Sequence, residues 1–159
     1  MARLDNVRVG VWRGMQALSG EIERNSDEEL RAEWDISLGW FDVLASLQRL
    51  GGRARPLDVA ADLRLPPSSV SRRLDRLQEE GWVARHKYVD EHDHRAVDVE
   101  LTKTGRRLWR EMSVTYRRAL QALFAIHLSA EDIADMQRIL DQLVVAGQEF
   151  EETPATDDT

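Results

Sequence analysis

Residues 56–81, which read PLDVAADLRLPPSSVSRRLDRLQEEG, contain the signal that decides the fold. Pro56 stands where proline can open a helix at little cost, and a short helix is predicted over 56–63. The run Leu65-Pro66-Pro67 then breaks the chain. A second helix is predicted over 67–80 and stops at Gly81. Two helices joined by a tight break are typical of a helix-turn-helix.

The second of these helices has a narrow apolar face and an opposite face of hydroxyl and guanidinium groups. Val70, Leu74 and Leu77 fall within about 60° of one another when successive residues are about 100° apart. The opposite side is polar, and its members are Ser68, Ser69, Arg72 and Arg76. Arginine can bond a guanine edge through two N–H groups, and serine can reach bases or phosphates at close range. We interpret these four residues as candidates for base contact; an ordinary exposed helix face is the alternative.

A hairpin is predicted directly after the second helix. Residues 82–87 read as a strand, 90–95 as a polar tip and 96–101 as a returning strand, because apolar and polar residues alternate in the last segment. This order of elements describes a winged helix-turn-helix. The cations expected to contact DNA phosphates are Arg73, Arg85 and Lys87.

Apolar residues at spacings of three and four predict two helices before this region. They are expected over 4–24 and 38–50, and the glycine pair after the second is a strong stop signal. The polar stretch 25–33 between them is interpreted as a loop or a frayed extension.

Two further helices are predicted after the hairpin. The first runs from 104 to about 127, and Ser129 with Asp132 can cap the second. The tail, residues 148–159, is acidic and is expected to be disordered. The predicted fold is therefore mainly α with a small β-wing, in a single domain over 1–159.

Composition narrows the class of protein. The chain has 159 residues, no cysteine and a net charge of −7, so disulfides, thiolate metal sites and thiol redox switches are excluded. Residues 53–87 carry eight basic and five acidic side chains, so a basic segment lies inside an acidic body. No segment has the apolar length of a signal peptide or a membrane span, and a cytoplasmic protein without membrane contact is expected.

Three segments of the sequence resemble the MarR family of transcriptional regulators. They are the helix-turn-helix over 56–81, the wing DEHDHRAVDVELTKTG over 90–105, and the last helix, which starts LSAEDIADMQRIL at Leu128. The resemblance implies an obligate homodimer in which helices over 4–24 and 104–147 interlock, with a winged helix-turn-helix over 38–101. It also implies a repressor that reads a pseudo-palindromic operator in double-stranded DNA, with half-sites about one helical turn apart.

The resemblance also assigns roles to the wing. Arg95 would pair with Asp75 and brace the wing against the helix predicted over 67–80, here called the recognition helix. His94 stands where the family usually has an arginine that enters the minor groove. Histidine is charged only below its ordinary pKa of about 6.5, so we expect a weaker wing contact that strengthens as the pH falls from about 8 to 6.

A small-molecule effector is the remaining implication of the resemblance, because family members usually bind aromatic or anionic compounds. Five tryptophans are present. The candidate ligand-binding residues are Trp12, Arg13, Trp34, Trp40 and Phe41. Placement of these aromatic side chains in the core or in an interface is the alternative.

Other classes of function find less support in the sequence. Asp90, His92, Asp93 and His94 could bind zinc, but they coincide with the wing tip, so no metal site and no cofactor is expected. No motif of an enzyme active site is present, and an enzyme is not expected. A winged-helix dimer that binds protein instead of specific DNA is the main alternative, although it would not need Arg72, Arg73 and Arg76 together.

Overall fold

The computed structural model describes residues 4–87 and 97–152, with side chains described as far as residue 145. The chain divides into two compact units, Met1–Leu120 and Gln121–Thr159. Its helices are α1 (Asn6–Trp34), α2 (Leu38–Arg49), α3 (Pro56–Leu63), α4 (Pro67–Glu79), α5 (Lys103–Leu123), a short 3-10 helix (Ala125–His127) and α6 (Ala130–Glu152). Its strands are β1 (Arg53–Ala54), β2 (Val83–Lys87) and β3 (Val97–Leu101). The mainly helical fold with a small β-wing is confirmed.

The three strands form one antiparallel sheet with β3 in the centre. Val83 pairs with Leu101 at one end of the β2–β3 ladder, and Lys87 pairs with Val97 at the other. Strand β1 pairs with β3 through Arg53 and Glu100. The sequence analysis did not predict β1, because a strand of two residues has no local pattern and is defined by its partner.

The core of the first unit forms where α2, α3, α4 and the sheet meet. Its largest fully buried side chains include Leu44 and Leu47 from α2, Leu74 and Leu77 from α4, and Leu101 from β3. The apolar face predicted for the second helix is confirmed, since Val70, Leu74 and Leu77 are all inaccessible to solvent. This packing fixes the opposite face of α4 at the surface.

Helix α1 corrects the sequence-based prediction of a helix over 4–24 followed by a loop. Asp5 caps the helix by accepting a hydrogen bond from the Arg8 N–H at 2.8 Å, and the helix continues to Trp34. The stretch 25–33 stays helical because Leu30 is fully buried and Arg31 pairs with Asp27 one turn earlier, at 2.6 Å.

The C-terminal helices also differ from the predicted bounds. Ser129 and Asp132 cap α6 as predicted, with the Asp132 N–H donating to Ser129 Oγ at 3.1 Å and the Ser129 N–H donating to Asp132 Oδ2 at 2.9 Å. The helix then extends to Glu152, so residues 148–152 are helical and not disordered. Glutamate and glutamine are good helix formers, and no proline occurs between 67 and 154 to interrupt the helix. Residues 153–159 lie outside the described part of the chain.

The start of α5 docks on the turn that ends α4. Thr102 Oγ1 accepts from the Gly105 N–H at 3.0 Å and donates to the Gly81 carbonyl at 2.8 Å. A Cβ atom at Gly105 would overlap the carbonyl oxygen of Trp82. Only glycine allows this close approach of the two backbones.

No helix in the described part of the chain combines the length and the apolar character that crossing a bilayer requires. The dimerisation role expected for 4–24 and 104–147 stays a prediction, because it concerns the assembly of two chains. The single domain over 1–159, with its winged helix-turn-helix over 38–101, also stays a prediction.

Candidate nucleic-acid interface

Helix α4 presents a polar face on the side opposite the core. Ser68, Arg72 and Arg76 are exposed and Ser69 is half-buried. Arg76 pairs with Glu79 one turn later, at 2.9 Å. Arg72 forms no hydrogen bond or ion pair with any residue that the structure describes. As far as the described residues go, Arg72 can therefore bind an external acceptor without losing an internal partner, whereas Arg76 would have to leave Glu79.

A polar contact joins α4 to the first strand of the wing. The Arg85 guanidinium pairs with Asp75 at 2.6 Å and donates to Gln78 Oε1 at 3.0 Å. Asp75, the residue expected to brace the wing, is thus held by Arg85. Arg95, its expected partner, lies outside the described residues, as does His94. The pairing of Asp75 with Arg95 and the minor-groove contact of His94 stay predictions.

The two other cations expected at phosphates lie in different surroundings. Lys87 is exposed at the end of β2 next to the undescribed part of the wing. Arg73 is half-buried, and its guanidinium donates to the carbonyl oxygen of Gly39 on α2 at 3.3 Å. A Cβ atom on Gly39 would lie only 3.0 Å from Arg73 Cζ, so glycine makes this approach possible. Arg73 therefore reaches from the recognition helix toward α2, away from Arg72.

Arg73 lines a cleft of about 380 Å³ within the first unit. The other lining residues come from α1, α2, α5, the end of α3 and the turn between α3 and α4; they are Ile22, Glu23, Ser26, Leu38, Gly39, Asp42, Leu63, Leu65 and Tyr116. Ser26 Oγ is buried and has no hydrogen-bond partner among the described residues. A cleft of this size that holds a cation, two carboxylates and an unpaired hydroxyl can take a small polar ligand.

The titratable groups of the cleft influence one another. Burial raises the pKa of Asp42, while the charges of Arg73 and Arg49 oppose that rise. Burial also raises the pKa of the Tyr116 phenol, and the nearby charge of Asp42 adds to the effect. The folded protein therefore stabilises the protonated form of Asp42, which is typical of a functional cleft.

Substitution of Asp42 by asparagine is expected to raise the free energy of unfolding at pH 8. Because folding raises the pKa of this carboxyl, its charge opposes folding at high pH, and that cost disappears as the pH falls toward the ordinary pKa of 3.8. Thermal unfolding at pH 8 and at pH 4 should show the stabilisation only at pH 8.

Asp62→Asn provides a control of opposite sign. A hydrogen bond from Arg49 lowers the pKa of Asp62, so its loss should lower stability at pH 8 and have less effect at acid pH. A destabilised Asp42→Asn variant at pH 8 would contradict the explanation by burial.

The structure does not bring the predicted ligand-binding residues into one site. Trp34 donates from Nε1 to Thr115 Oγ1 at 2.9 Å, and Trp40 packs edge-on against Trp82 at a ring distance of 6.0 Å. Trp12 is 59% exposed on α1, and Arg13 beside it is exposed. Phe41 is buried against Tyr116. A ligand role for these five residues stays a prediction.

Sequence analysis missed the residues that line the Arg73 cleft. Asp42 carried a usable signal, because it is the one charged residue in the apolar run LGWFDVLASL over 38–47. A lone carboxylate in such a run is either buried at a cost or paired. Tyr116 and Gly39 carried no comparable signal, because their role depends on contacts between distant segments.

The known proteins to which this chain is similar in sequence are transcriptional regulators. A sequence model described as the MarR family matches residues 34–96. PecS, a transcriptional regulator of Dickeya dadantii, is 34% identical over 86 residues, which are 53% of this chain and 50% of PecS. The chain thus spans half the length of PecS. MdtR, a transcriptional repressor of Bacillus subtilis, is 25% identical over 148 residues, covering 93% of this chain and 92% of MdtR.

A solved structure extends the match to the whole architecture. A mutant MarR from Escherichia coli, complexed with operator DNA, superimposes with a TM-score of 0.72 at 26% identity. The superposition covers 89% of this chain and 99% of that one. The chain is similar in sequence to the MarR family of transcriptional regulators over residues 34–96, and it shares with the operator-bound relative a mainly helical fold with a small antiparallel sheet.

Proposed function

We propose that the protein is a dimeric transcriptional regulator that binds a specific, pseudo-palindromic site in duplex DNA and represses transcription. The guanidinium of Arg72, which has no partner among residues 4–87 and 97–145 and is exposed on α4 opposite three buried side chains, is the observation that carries this proposal. A helix with this geometry can enter the major groove and present Arg72 and Ser68 to base edges. MdtR is named a repressor, which favours repression here. Since the chromosome is the target, the proposed site of action is the cytoplasm.

Dimer formation is supported by apolar side chains that the single chain leaves exposed. On α1 they recur at helical spacing and include Val7, Val11, Met15 and Leu18, and Leu4 precedes them just before the helix. On α6 they include Ile139, Leu140, Leu143 and Val144. A second copy that covers these faces would remove them from water, and a two-fold axis would duplicate α4.

Recovery and sequencing of genomic fragments bound by the purified protein tests the proposal. The enriched fragments should contain a sequence with two-fold symmetry and half-sites about one helical turn apart. Fluorescence polarisation with this duplex and with a scrambled one, at two salt concentrations, then separates specific from phosphate-driven binding. Binding that neither depends on salt nor distinguishes the duplexes would instead favour a winged-helix dimer that contacts protein.

We also propose that the Arg73 cleft holds the effector, an aromatic or anionic compound. Arg73 belongs to the recognition helix, yet its guanidinium lies at the Gly39 carbonyl and near Asp42. An anionic ligand would compete for this guanidinium and change how α4 rests on α2. A ligand that binds the altered position of α4 more tightly than the DNA-binding position lowers the affinity for DNA, and the size of this decrease is set by the difference between the two ligand affinities.

Operator release by benzoate, used as a probe for aromatic anions, is expected to depend on Arg73. In Arg73→Gln, the benzoate concentration that halves operator binding should rise by about tenfold or more, because a charge-assisted hydrogen bond is lost. Arg13→Gln is the matched control and should respond like the wild type. The reverse pattern would place the effector beside Trp12. Loss of operator affinity by Arg73→Gln without benzoate would support the phosphate contact first predicted for this residue.

A further inference from the structure

The first two turns of α5 carry a stripe of four cations, Lys103, Arg106, Arg107 and Arg110, here called the α5 cationic stripe. At about 100° per residue, these four side chains fall within an arc of about 100°. All four are exposed, and with Thr104 they line a surface groove of about 390 Å³. Among the described residues, no acidic side chain contributes to that lining.

Three of these cations lack an internal counter-charge. Arg106 is held by Glu100 at 3.2 Å and by the carbonyl oxygen of Leu101 at 3.1 Å. Lys103, Arg107 and Arg110 form no hydrogen bond or ion pair with any residue in the described ranges 4–87 and 97–145. This differs from most arginines of the first unit, which pair with a nearby carboxylate, as Arg31 does with Asp27 and Arg118 with Glu29.

The stripe is unfavourable for the helix that carries it. Like charges three and four residues apart repel, and the stripe contains four such pairs. The amino end of a helix also disfavours positive charge, and the first turn of α5 has no acidic residue to compensate. In a chain with a net charge of −7, such a local conflict indicates a binding role and not a stabilising one.

The stripe begins at the end of the sheet opposite Lys87. Helix α5 starts after Leu101, which pairs with Val83, whereas the wing leaves the sheet beyond the Lys87–Val97 pair. Four residue steps separate these two ends of the ladder, a distance of about 13 Å at about 3.3 Å per residue. Lys87 and the start of the stripe therefore lie at opposite ends of the ladder.

We propose that the α5 cationic stripe binds a small anion with two or more linked phosphate groups. The stripe extends along about 10 Å of helix, which is longer than a single phosphate needs. Its N-terminal position adds the favourable field of the helix dipole, and unpaired lysine and arginine side chains supply charge-assisted donors. The inference does not depend on operator binding.

Isothermal titration of the full-length protein with inorganic tripolyphosphate tests this site. The wild type should bind tripolyphosphate at least about tenfold more tightly than orthophosphate at equal ionic strength, since more donors are satisfied at once. The double variant Arg107→Gln/Arg110→Gln should lose about tenfold or more of that affinity. It should unfold at a temperature no lower than the wild type, because repulsion along the helix is reduced.

The matched control is Arg24→Gln/Arg64→Gln, which removes two exposed arginines that lie outside α5. It has the same net charge as the test variant and should bind tripolyphosphate like the wild type. If both double variants lost the same tripolyphosphate affinity, the binding would depend only on net charge, and the proposal would be overturned. Operator affinity that falls together with tripolyphosphate affinity in Arg107→Gln/Arg110→Gln would also overturn it, by assigning the stripe to duplex phosphates.

Discussion

Replacement of Arg72 by alanine is expected to weaken operator binding by about 30-fold to 10⁴-fold. A bidentate contact to guanine is worth about 1–3 kcal/mol, and a symmetric dimer makes it twice. Because Arg72 has no partner among the described residues, its removal breaks no internal ion pair and should leave stability almost unchanged. Fluorescence polarisation with the operator, together with thermal unfolding, measures both effects.

Two companion variants refine this prediction. Arg72→Lys keeps the charge but not the planar pair of donors, so it should bind scrambled duplex like the wild type while losing most of the preference for the operator. Arg76→Ala should have a smaller effect, because Arg76 is already paired with Glu79. If Arg72→Ala lowers affinity equally for operator and scrambled duplex, Arg72 contacts phosphate and not a base.

Introduction of glutamate at Val11 is expected to convert the dimer into monomers at micromolar concentration. Val11 is 60% exposed in the single chain and belongs to the apolar series on α1. In a symmetric dimer the change would bury two unpaired carboxylates, each at a cost on the order of 3–5 kcal/mol. Operator affinity should then collapse, because a monomer reaches only one half-site. Sedimentation equilibrium measures the dissociation, and polarisation measures the loss of DNA binding.

Ala17→Glu is the control for this variant. Ala17 is exposed on the same helix, about 120° from Val11 at 100° per residue, so the added charge should stay in water. This variant should remain dimeric and bind the operator. A Val11→Glu protein that stays dimeric would show that α1 does not take part in the interface.

The recognition helix could be predicted from the sequence because the helical repeat of its apolar residues determines both its buried face and its exposed face. Val70, Leu74 and Leu77 repeat at helical spacing, so their burial also fixes the exposure of Arg72. The bounds of α1 were harder to predict. The stretch 25–33 looks like a loop by composition, and Leu30 keeps it helical only through burial against other segments.

The position of Arg73 lay beyond sequence reasoning for a similar reason. The helical wheel places it beside the apolar face of α4, but its partner, Gly39, is 34 residues away in the chain. Likewise, the sequence predicts Arg85 only as a phosphate contact, and its ion pair with Asp75 is seen only in the folded chain. Periodicity predicts which face a residue occupies, whereas the partner of a long side chain depends on tertiary structure.

The contact between Gly105 and Trp82 has a consequence for operator choice. Since the backbone of α5 touches the turn at the end of α4 with no side chain between them, the two helices have little freedom to tilt independently. A rotation of α5 would therefore rotate helix α4, which contacts the bases, by the same angle. The number of extra base pairs that the protein tolerates between the two half-sites should then depend on how rigid the contact between Gly105 and Trp82 is. A bulkier residue at 105 would alter that tolerance without changing any atom that faces the DNA.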